Sequence, residues 1–275
     1  VEAFPNEASL LVRWRIEHKG AERQWVTPWV RNDALPGGNF TPESHVDVPT
    51  LNGLERARRM GYFPASRNWV AATDPVSRVA VCGVFNAEHT HSFLTLWDGD
   101  GRRSGFHTAF VPRLMNPGDV WETVYRINAV RGLTHVDFAA EELAGQLDYT
   151  SGKLEFLVAS AKPIPEVEIH ASVVAENGRR WVLQPKRFAT EPNHLIRCTY
   201  AWTAPADGVY DFLAQLQQGG APYELNRNVA APHGGIDTQF VVGKPKGPRR
   251  MTAWTDAPFA VERGQREVTR QAAYR

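Results

Sequence analysis

The residues best suited to chemistry in this chain are three histidines, a scatter of carboxylates and a run of tryptophans. His89 and His91 are separated by one residue, so a regular strand puts both imidazoles on one face, and His107 is the next histidine along. A metal centre needs three or four ligands in a fixed geometry. Glu88 is the nearest carboxylate, and a regular strand points it to the opposite face. The expectation is no metal and no cofactor, with His89, His91 and His107 as the metal candidates to check. Glycoside hydrolysis would instead use two carboxylates at a separation that sets the stereochemistry. Glu55, Glu88, Asp98, Asp100 and Glu122 are available, and sequence alone fixes no separation between them. Asp98-Gly99-Asp100-Gly101 alternates like a calcium loop but lacks its later ligands, and Asp-Gly after Trp97 reads as a hairpin turn.

Binding is better represented than catalysis. The chain has nine tryptophans, and Trp25, Trp29 and Trp69 fall at strand ends beside a proline- and glycine-rich stretch. An exposed indole face can stack on a pyranose while neighbouring polar groups bond its hydroxyls. Arg31, Asn32, Asp33 and Asn39 could supply those groups, which makes residues 25–40 with Trp69 the expected carbohydrate-binding site. The competing reading of each tryptophan is core packing. No phosphate loop, nucleophile elbow or basic-aromatic nucleic-acid groove is visible.

The elements that would carry these residues are strands. Leu10, Val12, Trp14 and Ile16 alternate with polar neighbours, and strands are expected again at 24–30, 67–72, 78–86, 91–97, 106–111 and 120–130. Residues 32–50, with three prolines and Gly37-Gly38, read as one long loop, and short helices are expected at Leu54 to Met60 and Phe138 to Gln146. Asn116-Pro117-Gly118-Asp119 has the proline and glycine of a tight reversal, and Trp121, Thr123, Tyr125 and Ile127 then occupy one face of the long strand that follows. The order Pro112-Arg113, Asn116 to Asp119, Trp121 to Thr123, with Trp69 to Pro75 and Phe93 to Trp97, resembles the later strands of the galactose-mutarotase-like family over roughly residues 8 to 145. That resemblance implies a large antiparallel sandwich that handles carbohydrate. The family's histidine and glutamate acid-base pair has no match here: Asn193-His194 has its dipeptide but is followed by Leu195-Ile196. Gly83, five residues and then His89-Thr90-His91 are similar to the opening of the cupin metal signature, whose glutamate is missing.

Around residue 146 a second set of alternating strands begins, with Val167, Ile169, Ala171 and Val173 on one face and Ile196, Cys198, Tyr200 and Trp202 repeating the pattern. Ala206-Asp207-Gly208-Val209-Tyr210 looks like the tyrosine corner of immunoglobulin-like and fibronectin-like domains. The domain reading is therefore a mutarotase-like sandwich portion at 1–145, an immunoglobulin-like sandwich at 146–243 and a basic arm at 244–275. The arm carries eight basic and three acidic residues, and either packs back on its own body or docks on a neighbouring subunit to make a homo-oligomer.

A chain of 275 residues with formal charge +1 and 43% hydrophobic residues is a folded globular protein and has no nucleic-acid polycation. No apolar run approaches the roughly 20 residues of a membrane helix. Cys82 and Cys198 lie in different expected domains and read as free buried thiols. The first residue is Val1, which a removed export signal or a trimmed chain would explain, and an extracellular or periplasmic location is the expectation. The functional reading is an all-β, exported, non-catalytic module that binds a glycan or assembles through its arm. The alternative is a carbohydrate-active enzyme, an aldose epimerase, glycoside hydrolase or lyase, or a fragment of one.

Overall fold

The computed structural model describes residues 1–38, 41–50, 53–97, 104–225 and 235–244. Asn39, the Asp98 to Gly101 turn and the basic arm past Lys244 lie outside the described residues. The protein is all-β, with antiparallel pairing between its strands, and one turn of 3-10 helix at Pro36–Gly38 interrupts them among the described residues.

A seven-stranded sheet runs in the order Glu2–Ala3, Ser9–Glu17, Val120–Arg131, Val79–Val84, Trp69–Asp74, His45–Thr50, Gly53–Ala57. A four-stranded sheet of Trp29–Asp33, Ser104–Phe110, Thr90–Trp97 and Gly61–Pro64 covers one of its faces. Between them lies an apolar seam that includes Phe85, Phe93, Phe106, Phe110, Trp121 and Tyr125. The other face of the seven-stranded sheet meets a second four-stranded sheet, built on Leu143–Thr150, Lys153–Ser160 and Leu195–Ala201, through Trp69, Ala71, Ala80, Cys82, Ala144, Leu157 and Ala159. Small side chains dominate this seam, so two sheets can approach closely around the one large ring of Trp69. A six-stranded sheet centred on Ile164–Ala175 and Gly208–Gln218 closes the far side over Phe156, Phe188, Tyr200, Tyr210 and Phe212.

Coverage on both faces explains why Trp69–Asp74 is buried at every position, where a half-exposed strand would alternate. Burying a row of large apolar groups at about 25 cal/mol per Å² makes these seams the main source of cohesion.

The Asn116 to Asp119 reversal forms as expected. Gly118 sits at φ 86°, the positive value a type II turn requires in its third residue, and the Asp119 N–H donates to the Asn116 carbonyl at 3.0 Å. The Tyr210 hydroxyl donates to the Ala206 carbonyl at 2.8 Å, closing the expected corner. Cys82 and Cys198 are free and buried, and burial pushes the Cys198 thiol up to about 11.

Three local expectations are corrected. The stretch 32–50 is not one loop: Asn32 and Asp33 end one strand, and His45–Thr50 is another. Pro49 is tolerated because Trp69–Asp74 pairs only with His45 to Asp47, so the proline needs no donor on that side. Leu54 to Met60 is not helical, because Gly53–Ala57 returns along His45–Thr50 as a hairpin partner. Phe138 to Gln146 is not helical either: Phe138–Ala139 and Leu143–Thr150 are paired strands, and the latter runs across the expected boundary at 145/146. The chain crosses between the two halves of the stack at residues 132–137.

Polar side chains tie the halves together across that crossing. Asp47, fully buried, accepts from the Thr73 hydroxyl at 2.7 Å and the Val136 N–H at 2.9 Å, with His45 at 3.3 Å and Arg56 at 3.6 Å. Arg56 also reaches Asp137 at 2.7 Å, and Asp137 holds His135 at 2.9 Å and the Leu147 N–H at 2.7 Å. Arg126 bridges Glu7 and Glu141 at 3.2 Å each, and Arg67 reaches Asp237 at 2.7 Å.

Candidate functional site

The outer face of the first four-stranded sheet, the one turned away from the seam, gathers the sequence's binding candidates. Register places Arg31 opposite His107, His107 opposite Leu94, and Leu94 opposite Tyr62, so these four form one row across all four strands. Cross-strand partners share a face, and the alternate residues Phe106, Thr108 and Phe110 are buried on the other. Trp29 stands in the adjacent row, opposite Ala109.

Trp29 leans on His107, with ring centroids 5.0 Å apart and planes at 38°. The indole nevertheless remains 55% exposed, and Tyr62 is 56% exposed at the opposite edge strand. Three inter-strand steps of about 4.8 Å put the two edges roughly 14 Å apart, a span longer than one sugar ring. Arg31 and Asp33 form an ion pair at 2.7 Å that fixes both heads beside Trp29. Tyr62 shares its hydroxyl with His91 Nδ1 at 2.9 Å.

His107 is 6% exposed, and neither ring nitrogen has a hydrogen-bond partner. Burial first, and the Arg31 charge second, hold its pKa below the ordinary histidine value. It is therefore a neutral imidazole at neutral pH, serving as a flat base under Trp29. The resulting surface offers two exposed aromatic faces, a fixed cation and a fixed carboxylate. It can stack on and hydrogen-bond a polyhydroxylated chain.

Of the residues expected to bind carbohydrate, Trp29, Arg31 and Asp33 meet on this face. Trp25 is half exposed but belongs to a separate two-stranded ribbon, opposite Leu114. Asn32 alternates to the inner face, with its amide nitrogen buried. Trp69 is 1% exposed in the seam between the two halves and cannot touch a ligand, so its inclusion is corrected. Tyr62 and Leu94 were not singled out by sequence, and His107 and His91 were noted only as metal candidates. A period-two reading of Gly61–Pro64, with Phe63 inward, would have exposed Tyr62.

The three histidines do not converge. A bulge between Thr90 and Ser92 breaks the alternation that would have put His89 and His91 on one face. His89 bonds Thr123 at 3.0 Å and packs on Trp121, while His91 turns to Tyr62. Gly83 is explained by packing: a Cβ there would lie 2.6 Å from the Phe85 ring and 2.7 Å from Phe106. Among the described residues, no three His, Cys, Asp or Glu are grouped to hold a metal. Of the carboxylates, Glu55 pairs with Arg59 and Glu122 with Arg15, on different strands.

Carboxylates and histidines do converge in the buried network of Asp47, His45, Arg56, Asp137 and His135. Burial opposes the charged forms of His45 and His135, yet bonds and charge from Asp47 and Asp137 outweigh it and raise both pKa values. Burial likewise opposes ionised Asp137, and His135 and Arg56 outweigh it and lower its pKa. Each aspartate also accepts a backbone N–H, from Val136 and Leu147 respectively. Charges so fully paired form a structural tie.

No family model and no curated protein matches this chain. Among solved structures, a polysaccharide lyase aligns at 13% identity over 85% of this chain and 31% of its own, with a TM-score of 0.31. A β-glucuronidase from glycoside hydrolase family 2 aligns at 8% identity over 88% and 31%, with a TM-score of 0.26. The β-glucuronidase of Ruminococcus gnavus gives 12% identity over 88% and 46%, at 0.23. The chain spans less than half the length of each of these proteins. Scores of this size leave the function to be read from the residues.

Proposed function

We propose that this chain is a non-catalytic carbohydrate-binding module that takes an extended glycan along the outer face of its four-stranded sheet. The carrying observation is the arrangement of Trp29 on His107 with Tyr62 at the far edge, two aromatic faces left to solvent on a rigid sheet. Rings contribute stacking, and the Arg31 and Asp33 pair contributes directional bonds to hydroxyls. In this reading the chain comprises two sandwich units that meet at 132–137, the first mutarotase-like and the second immunoglobulin-like. The tyrosine corner at Tyr210 supports the second assignment.

Affinity electrophoresis and calorimetry against a panel of soluble plant, algal and bacterial polysaccharides test the proposal. Retention by at least one glycan is expected, with Trp29→Ala and Tyr62→Ala each weakening it about tenfold or more, the equivalent of about 1.4 kcal/mol. Binding that survives both substitutions would place the site elsewhere, and no retention by any member of the panel would remove the proposal.

A further inference from the structure

Arg31 and Asp33 stand two residues apart on the edge strand Trp29–Asp33, so both side chains leave the sheet on the face that carries Trp29. The Arg31 Nε donates to Asp33 Oδ1 at 2.7 Å, and the two side chains remain 42% and 52% exposed. A cation and a carboxylate bonded to each other and both open to solvent offer a ligand hydrogen-bonding groups with no net charge. Given the glycan-binding reading above, on which this rests, we infer that Asp33 is the specificity-determining residue of this face: by closing on Arg31 it selects neutral glycans and rejects chains of uronic acids.

The rest of the face does not shift that balance. Register continues the Arg31 row through His107 and Leu94 to Tyr62, an uncharged imidazole, an aliphatic side chain and a phenol. The Asp33 row continues through Gly105 and Leu96. Residues 98–103, which join the two central strands in sequence, add two aspartates and two arginines. Asp33 also keeps Arg31 fully charged, since its hydrogen bond first and its charge second raise the Arg31 pKa. Removing the Asp33 charge would therefore leave a cation on the face with nothing to offset it.

Sugar hydroxyls suit the closed pair. One hydroxyl can donate to the Asp33 carboxylate, and a neighbouring one can accept from the other guanidinium N–H groups. A ligand carboxylate in the same place meets Asp33 beside any bond it makes to Arg31. Like charges about 4–5 Å apart repel by an amount comparable with what the cation returns. The ligand carboxylate has also lost water beside the apolar surfaces of Trp29 and Leu94. A neutral hydroxymethyl group meets neither penalty, so discrimination comes from a repulsive element as much as from an attractive one.

The experiment takes the hexose polysaccharides retained by the full chain and compares each with the same polymer altered only at C6. A neutral polymer is oxidised to its uronate, and an acidic one is carboxyl-reduced. Calorimetry at neutral pH, in low and in high salt, gives the ratio of affinities for the two forms. The neutral form is expected to bind about tenfold tighter, with little dependence on salt. Asp33→Asn, which keeps the shape and an acceptor oxygen for Arg31, should tighten the uronate form about tenfold at low salt, and high salt should erase that gain. An unchanged urea midpoint checks that the variant is folded. Uronate and neutral forms binding equally to the unmodified chain overturn the inference whether or not the variant folds, and so does a folded Asp33→Asn with an unchanged ratio. Retention of uronates alone keeps the glycan-binding reading and overturns only this inference, whereas retention of no polymer removes both.

Discussion

Replacing Asp137 with asparagine tests whether the two halves of the stack are held by the buried ionic tie as well as by the apolar seam. One Asp137 oxygen accepts from Arg56 at 2.7 Å, and the other accepts from His135 at 2.9 Å and the Leu147 N–H at 2.7 Å. Asparagine has the same shape but one acceptor oxygen, so its amide must face either Arg56 or the Leu147 N–H, donor against donor. Removing one partner of a buried pair costs about 3–5 kcal/mol. Arg56 is 39% exposed and can turn to water, while Asp47 stays within 3.6 Å of it, so the lower end, about 3 kcal/mol, is expected. Against a total of about 5–15 kcal/mol this is a large loss. Urea unfolding followed by tryptophan fluorescence should show a lower midpoint at an unchanged slope.

The pH dependence fixes the mechanism. His135 has a raised pKa, so its contribution is complete below about 6.5 and is lost as pH rises through the folded value. Asp137 has a lowered pKa, so its contribution is present above about 3.9 and is lost as pH falls through the folded value. The stability difference between the two proteins should therefore peak between about pH 4 and 6.5 and shrink toward pH 8. It should level off at a residue due to Arg56 and the Leu147 N–H. His45 pairs with Asp47 in both proteins and cancels. A difference below about 1 kcal/mol at pH 6, or one flat from pH 5 to 8, would refute the assignment of this network as the tie.

Other substitutions probe the seams. Trp69→Ala should cost about 3–5 kcal/mol in urea unfolding, because the small residues around it cannot collapse into the space, and should leave glycan retention unchanged. Gly83→Ala drives a methyl into the Phe85 and Phe106 rings and should cost about 1–3 kcal/mol by thermal or urea unfolding. Tyr210→Phe removes one hydrogen bond to Ala206 and should cost about 1 kcal/mol, measurable as a small shift in midpoint.

Strand identity was legible wherever one face of a strand is wet, because alternation then survives in the sequence. In the first half of Val120–Arg131, Trp121, Thr123 and Tyr125 are buried while Val120 and Glu122 are exposed, as read; from Arg126 on, the buried positions are those of the other face. It was weaker where both faces are covered or where pairing overrides local preference. Leu54 to Ala57 and Phe138 to Gln146 have helix-compatible composition, and neighbouring strands claim both. Tertiary contacts outweigh propensity differences of a few tenths of a kcal/mol per residue.

The site follows the same logic. Trp29, Arg31 and Asp33 were found by their closeness in sequence, whereas the strand that puts them at i, i+2 and i+4 and turns Asn32 inward was read as ending at residue 30, short of Arg31 and Asp33. Their partners His107, Leu94 and Tyr62 come from three other strands and depend on register, which a single sequence does not encode locally. Trp69 shows the converse error. A tryptophan at a strand start has the same sequence signature whether its face is wet or sealed, and what seals it is a further four-stranded sheet whose alanines lie some seventy-five residues further on at Ala144. The small residues of that seam, Ala71, Ala80, Ala144 and Ala159, were the available clue, since closely packed sheets need them. Wherever such a chain pairs an alanine-rich strand face with a lone large ring, the ring belongs between sheets, and the exposed aromatics should be sought on the strands whose opposite faces are phenylalanine-rich, as Phe93 and Phe106 mark them here.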